Sequence, residues 1–327
     1  MEKVRWGFIG AGGIAKKALY PAIMKSEVGE IYAVAARDAT RARSLSPSGK
    51  IYTDYQDLLD DPLVEAIYIS LPNSLHLPWA IKAMRAGKHV LCEKPLGMNA
   101  AEVKDAIAIS NETGKLFMEA SWNRWHPRTI RIKELVASGV IGKVTEVDTS
   151  FTYTGLDPAD IRLVPELGGG ILYDLGPYSV VAPLWLLDFA PISDIETEVV
   201  WHSGGTDETI KVSFNIGGAK AETHASSRTP TSHWFIVKGD KGQISTGGND
   251  SFNSHNKPSN LEVEIDGVKT IEDFGACDPY MLMSDAFAKK IRGQEAWLMP
   301  LSESLAFAEF FDSVFKVMGR PKKPAQN

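Results

Sequence analysis

Cysteine is scarce in this sequence. Cys92 and Cys277 are the only two, far apart, with neither a C-x-x-C pair nor a histidine-rich neighbourhood. Neither a disulfide framework nor a structural zinc site is indicated. The seven histidines show no metal-ligand spacing, and His224 and His233, the nearest pair, read as marking two neighbouring strands; no metal is expected. Long hydrophobic runs are missing too. The apolar stretches near 64–71 and 180–187 fall far short of the roughly 20 residues that a membrane crossing needs. Met1 leads directly into a charged, strand-like stretch without the apolar core of a secretion signal, so the expected compartment is the cytoplasm. Basic residues gather no further than Lys16-Lys17 or the cluster at 320–323, and the formal charge of −6 is spread along the chain, which argues against a nucleic-acid partner. There is no G-x-S-x-G turn and no cysteine beside a base, which disfavours covalent nucleophilic catalysis.

What is present is enough apolar material, 44% of 327 residues, to fill more than one core, so two domains are expected. Short β-rich runs at 4–9, 30–35, 66–70, 89–92 and 116–119 alternate with helical patterns at 15–24, 55–60, 77–86 and 100–114. Such alternation writes a parallel sheet with crossover helices, here a doubly wound α/β domain over 1–121. Past Trp122 the texture changes. A helix over 128–138 and a long strand over 143–153 come first, then a triple glycine and an amphipathic helix over 173–187. β-rich stretches follow at 194–202, 208–216, 220–227, 234–239 and 261–265, separated by turns such as Gly204-Gly205, Gly217-Gly218 and Asp266-Gly267. Residues 122–327 should form an α+β domain with a large, mostly antiparallel sheet, closed by helices over 279–292 and 302–318. The Gly/Asn/Ser-rich segment 246–259 reads as a mobile loop, and the tail after Gly319 as frayed.

The first strand runs into Gly10-Ala11-Gly12-Gly13-Ile14-Ala15, a G-x-G-x-x-A turn between strand and helix. Its glycines permit a tight turn and close approach of a pyrophosphate, and small Ala15 allows close helix packing. At the end of the second strand, where NAD-binding chains place an acid for the ribose 2′-hydroxyl, stands Ala36, followed by Arg37 and, one helical turn later, Arg41. Two guanidinium groups suit a 2′-phosphate, so NADP is expected and NAD less so.

After the fourth strand comes Glu93-Lys94-Pro95-Leu96, a lysine at the carboxyl end of a parallel strand, where α/β sheets bind ligands. In Gly168-Gly169-Gly170-Ile171-Leu172-Tyr173-Asp174-Leu175-Gly176-Pro177-Tyr178, Asp174 and Tyr178 stand four apart and, if helical, face one way.

These segments, GFIGAGGIA, Leu71-Pro72-Asn73-Ser74-Leu75-His76, CEKPLGMNAAE and GGGILYDLGPY, occur in an order and spacing that resemble the glucose-fructose oxidoreductase and inositol dehydrogenase family. Around 33–38 and 118–125 the chain looks most like the dimeric dihydrodiol dehydrogenases and the NADP-dependent D-xylose dehydrogenases. The resemblance implies a Rossmann domain over 1–121 and a substrate-binding and oligomerisation domain over 122–327, whose open sheet often makes a dimer interface. It implies hydride transfer between nicotinamide and a sugar, diol or small carbonyl substrate. Lys94 and Tyr178 would assist proton transfer, with Asp174 orienting a hydroxyl or tuning Lys94. Many relatives carry a histidine where this chain has Tyr178. The cofactor would lie against Gly10, Gly12, Gly13, Ile14, Ala15, Arg37, Arg41, Leu71, Pro72, Asn73, His76, Glu93, Lys94 and Arg124. The substrate would meet Trp125, Phe151, Tyr153, Arg162, Asp174 and Tyr178. The alternative from another class is a non-catalytic, dinucleotide-sensing regulatory protein of the same fold; the intact Lys94, Asp174 and Tyr178 set argues for the enzyme.

Overall fold

Strand β1 (Val4–Ile9) begins a strand–helix repeat in which most strand side chains are buried. The computed structural model describes residues 2–247, 251–252 and 255–319. The tail expected to fray lies outside these residues, as do 248–250 and 253–254 of the loop expected to be mobile. The chain divides into two compact units. One runs to Trp125 and resumes over Asp278–Ala308; the other covers His126–Cys277 and resumes at Glu309.

In the first unit β1 is followed by a π-helical turn (Ala15–Leu19) and helix α1 (Tyr20–Lys25). Pro21 has no N–H to offer the carbonyl four residues back, and the Tyr20 N–H bonds Ala15 O instead, one residue wider than an α-helical turn. Next come β2 (Gly29–Ala35), α2 (Ala39–Arg43), β3 (Lys50–Tyr52), α3 (Tyr55–Leu59) and β4 (Ala66–Ile69). Helix α4 (His76–Arg85), β5 (His89–Cys92), α5 (Ala100–Thr113) and β6 (Phe117–Glu119) complete the repeat. Among the described residues the sheet is parallel throughout, in the order β3-β2-β1-β4-β5-β6. Helices cover both faces, so the strands read as nearly unbroken Ile, Val and Ala. Sequence periodicity finds five of these six strands; β3, three residues at the sheet edge, is too short for a pattern to register.

The second unit opens with α6 (Pro127–Ala137) and β7 (Val144–Thr152). The helix expected over 173–187 is instead two short ones, α7 (Ile171–Leu175) and α8 (Ala182–Leu186), and nearly all of it is buried rather than amphipathic. Pro177 supplies the break. It cannot donate to the carbonyl of Tyr173, and the bonds beyond it mix registers: Ser179 and Val180 reach four residues back, but Tyr178 bonds Leu175 O and Val181 bonds Gly176 O. Tyr178 therefore stands in the turn after α7, and the shared helical face expected for Asp174 and Tyr178 does not form.

Strands β8 (Ile192–Trp201), β9 (Asp207–Ile216), β10 (Ala219–Ser226), β11 (Ser232–Gly239), β12 (Gly242–Ser245), β13 (Ser259–Ile265) and β14 (Val268–Phe274) join β7 in the order β14-β13-β12-β11-β7-β10-β9-β8. The described pairings are antiparallel except β7 with β10. Alternation is clean: Ile210, Val212, Phe214, Ala221 and Val237 are buried, while Lys211, Asn215, Lys220 and Glu222 point to solvent. The sheet thus has one packed and one open, polar face.

After β14 the chain returns to the first unit as α9 (Pro279–Ile291), and α10 (Leu301–Met318) starts in that unit and ends in the second. Phe287 of α9, fully buried, lies 5.7 Å from the Trp6 ring in β1, so the first core is closed by residues from both ends of the sequence. Phe287→Ala should lower the unfolding free energy by about 3–5 kcal/mol, whereas Val268→Ser, 67% exposed on the edge strand β14, should change it by less than about 0.5 kcal/mol. Chemical denaturation of the two variants checks this.

Candidate functional site

The glycine turn follows β1 where the strand order reverses, between β1 and β4, the place at which open parallel sheets hold ligands. Gly10 has φ of +96°, and a Cβ there would stand 2.8 Å from the Ser70 carbonyl oxygen. The fold itself demands glycine at that position. Gly12 and Gly13 differ. A Cβ on Gly12 would make ordinary contact at 3.5 Å, and one on Gly13 would meet nothing within 4 Å. Protein packing requires glycine at neither, and the open space beside them at a helix start is what a pyrophosphate approaching backbone N–H groups fills. On that ground the turn fits a dinucleotide. Ala15 is buried and Ile14 exposed beside it.

At the end of β2, Ala36 is buried and Arg37 exposed. Asp38 is spent as the cap of α2, accepting the Thr40 N–H at 2.8 Å. Arg41 lays Nη2 against Ala11 O at 3.3 Å, so one guanidinium already reaches the glycine turn.

Lys94 follows β5 in a turn whose Lys94–Pro95 peptide is cis. Buried side chains from three directions hold this turn. The Tyr68 hydroxyl of β4 donates to Glu93 Oε1 at 2.7 Å. His76, at the start of α4, sets Nδ1 2.8 Å from Pro95 O and Nε2 2.9 Å from Leu71 O; a neutral ring donates to only one of the two. Glu119, at the end of β6, accepts the Leu96 N–H at 3.1 Å. Burial pushes the Glu119 carboxyl up to about 7, and the charge of Glu93 adds to the effect. His76 thus ties the Leu71–Pro72–Asn73 loop to the lysine turn. Ser121 Oγ, Asn123 Oδ1 and Trp125 Nε1 are buried without a hydrogen-bond partner in the protein, as groups completed by water or ligand are.

Arg124, expected on the cofactor, pairs through Nη1 with Glu303 Oε2 at 2.6 Å and lies against the Trp297 ring. Trp125, expected on the substrate, is buried with its ring 4.7 Å from Trp297.

In the second unit Tyr178 is buried with its ring 5.5 Å from Phe151 on β7. Phe151 in turn stacks on Phe252 and meets His233 edge-on. Phe252 belongs to the segment expected to be mobile, and its described part is anchored: Arg128 Nη2 donates to Ser251 O at 2.9 Å, and Ser251 Oγ to His233 O. Sequence reading missed this phenylalanine because Gly, Asn and Ser surround it. Asp174 Oδ2 accepts from Arg162 Nε at 2.7 Å and from the Tyr153 hydroxyl at 3.1 Å. Asp160, also missed, receives Arg162 Nη1 on both oxygens at 3.2 and 3.3 Å.

Residues 4–121 match the family model described as an oxidoreductase family with an NAD-binding Rossmann fold, and 129–245 match the GFO/IDH/MocA C-terminal domain. The chain is 33% identical to an NADP⁺ D-xylose 1-dehydrogenase of Haloferax volcanii over 95% of its own length and 96% of the relative's. It is 32% identical to the trans-1,2-dihydrobenzene-1,2-diol dehydrogenase of Mus musculus, over 73% of each. A 3-ketoreductase from Actinomadura kijaniata, solved with NADP and TDP-benzene, superposes with a TM-score of 0.90 at 26% identity, covering 96% of this chain and 98% of that one. Variants of that reductase at one tyrosine and one lysine were also solved with NADP and TDP-benzene, and the two positions are as far apart in its sequence as Lys94 and Tyr178 are here.

Gly13→Ala should not lower the thermal midpoint of the cofactor-free protein, raising it slightly if anything, and should weaken dinucleotide binding by about tenfold or more, while Gly10→Ala should destabilise the fold itself. Thermal unfolding and a cofactor titration separate the two. For Glu119 the folded-state carboxyl lies above the unfolded value near 4.3, so the native state holds its proton more tightly. Its contribution to stability is complete below about pH 4 and is lost as pH rises through about 7. Glu119→Gln should remove a decline on the order of 3 kcal/mol between pH 5 and 8. Buried Asp207, pushed up to about 6 chiefly by desolvation, leaves a smaller decline of the same sign in the variant.

Proposed function

This chain belongs to the GFO/IDH/MocA oxidoreductase family, and from that premise we propose that it is an NADP-dependent dehydrogenase or reductase acting on a sugar, diol or small carbonyl compound. The observation that carries the reading is the glycine turn after β1, where space beside Gly12 and Gly13 suits a pyrophosphate; Lys94, just past the carboxyl end of β5, and Tyr178, buried against Phe151 in its own unit, support it. Residues 1–121 hold the dinucleotide and 122–327 serve substrate binding and oligomerisation.

The Gly10–Gly13 turn, with Ile14 and Ala15 behind it, takes the pyrophosphate. Arg37 and Arg41 take the 2′-phosphate that a carboxylate at the end of β2 would repel. When bound, the nicotinamide supplies or accepts the hydride. Tyr178 gives its proton to the substrate oxygen in reduction and removes it in oxidation. The Lys94 ammonium offsets negative charge developing on that oxygen. Asp174, fixed between Arg162 and Tyr153, orients a second hydroxyl. Phe151 offers an apolar surface of the kind sugars and aromatic diols pack on. The open face of the large sheet, around Asp148, Glu222 and Trp234, is the surface through which two copies pair.

Arg37→Asp should weaken NADPH by about tenfold or more and NADH hardly at all, since a charge-assisted contact is worth about 1.5–3 kcal/mol; an equal loss for both cofactors counts against the assignment. Tyr178→Phe should lower turnover about a hundredfold with cofactor affinity intact. A near-normal rate moves the acid/base role to another group.

A further inference from the structure

Helix α7 begins at Gly170, which has φ of +119° and no side chain with which to cap the helix. The cap comes from elsewhere in the fold. Asp207, the first residue of β9, accepts the Leu172 N–H on Oδ2 at 2.7 Å, and the N–H groups of Ile171 and of Asp207 itself also bear on its carboxyl. A Cβ on Gly170 would overlap Asp207 Oδ1, so glycine there is what admits the carboxylate to the start of the helix. A register slip aims it. On β9 Lys211 and Asn215 point to solvent, and strict alternation would send Asp207 the same way. Instead Val200 faces Thr209 while Trp201 faces Asp207, a bulge of the kind that re-aims a side chain, and Asp207 is only 5% exposed.

The hold passes on to the residues that follow. The Asp174 N–H bonds Gly170 O at 3.2 Å, and the Tyr178 N–H bonds Leu175 O at 2.9 Å. With five residues, α7 is too short to hold itself, and its placement depends on what fixes its ends. Asparagine or serine caps a helix about as well as aspartate, and neither brings a charge into the interior. The cations of this neighbourhood, Arg162 and Arg228, pair with Asp174 and Asp160 and with Glu208, and among the described residues Asp207 has no ion-pair partner. Backbone N–H groups meet its charge, and desolvation lifts its carboxyl to about 6. Because that lies above the unfolded value near 3.9, the ionised form lowers stability at neutral pH. A carboxylate retained against stability marks a demand other than stability. Its two oxygens only accept, whereas an amide or hydroxyl would set a donor among the N–H groups.

We propose that Asp207 is a positioning residue for the reaction: its carboxylate fixes the first turn of α7 and, with it, Asp174 and Tyr178. The proposal rests on the function proposed above and adds to it a residue that acts through α7.

The test compares Asp207→Asn with the unmodified protein and with Glu208→Gln, a control at the neighbouring carboxylate. Initial rates are followed with NADP and whichever of D-xylose, D-glucose, myo-inositol or a trans-dihydrodiol is turned over. NADPH titration, thermal unfolding at pH 5 and pH 8, and hydrogen exchange over 171–178 accompany them. In Asp207→Asn kcat should fall about tenfold or more, with NADPH affinity and the KM for NADP within about twofold of the unmodified values. Its thermal midpoint should drop less between pH 5 and pH 8 than that of the unmodified protein, and the Leu172 amide should exchange faster. Glu208→Gln, which loses only a surface ion pair, should keep its kcat. An unchanged kcat in Asp207→Asn overturns the proposal. So does a rate loss matched by lost NADPH binding and a midpoint lowered at both pH values, which makes Asp207 a structural cap. Should Asp207→Asn not fold, Asp207→Ser is read by the same criteria, and failure of both to fold also overturns the proposal. If the unmodified protein turns over none of these compounds, the function proposed above fails separately. Faster Leu172 exchange at an unchanged midpoint then still upholds the hold of Asp207 on α7, and equal exchange overturns it.

Discussion

The turn from Glu93 to Leu96 is held by buried polar contacts, and the placement of Lys94 depends on them. Tyr68, His76 and Glu119 arrive from β4, the start of α4 and the end of β6, and each engages the turn or its flank. Losing one such partner leaves a buried group unsatisfied at a cost of about 1–3 kcal/mol, so the three together over-determine the backbone that carries the ammonium group. The lysine side chain itself is only half-buried. A rigid base under a reachable tip is what positional catalysis requires.

The same economy appears at the other chemical groups. Gly10 serves the fold, whereas Gly12 and Gly13 leave room that the protein does not use. In the second unit the packed face of the large sheet supplies the wall behind Tyr178, and the loop carrying Phe252 is latched by buried Arg128. Side chains proposed to meet the chemistry are thus backed by residues far away in sequence, and the units in which they sit are closed by helices from the C-terminal part of the chain.

Local pattern made most of the first unit legible. Its glycine turn and the strands at 4–9 and 89–92 depend on neighbours in sequence, and the structure reproduces them; the lysine turn was visible as a motif, but the contacts that hold it were not. The edge strand β3 is too short to show a period, and the helix expected over 173–187 fails at Pro177, where an apolar run concealed a lost donor. Long-range pairing was illegible. Arg124 looks available in sequence, yet its partner Glu303 lies 179 residues on. Glu119 reads as a polar residue ending a strand, and only the fold shows it buried beneath Leu96.

The most direct measurement is the appearance of reduced-nicotinamide absorbance when the unmodified protein is mixed with NADP or NAD and D-xylose, D-glucose, myo-inositol or a trans-dihydrodiol. The account predicts turnover with at least one of them, faster with NADP than with NAD. Tight NADPH binding with no turnover of any of them would contradict it, and would make the chain a dinucleotide-binding protein without this chemistry.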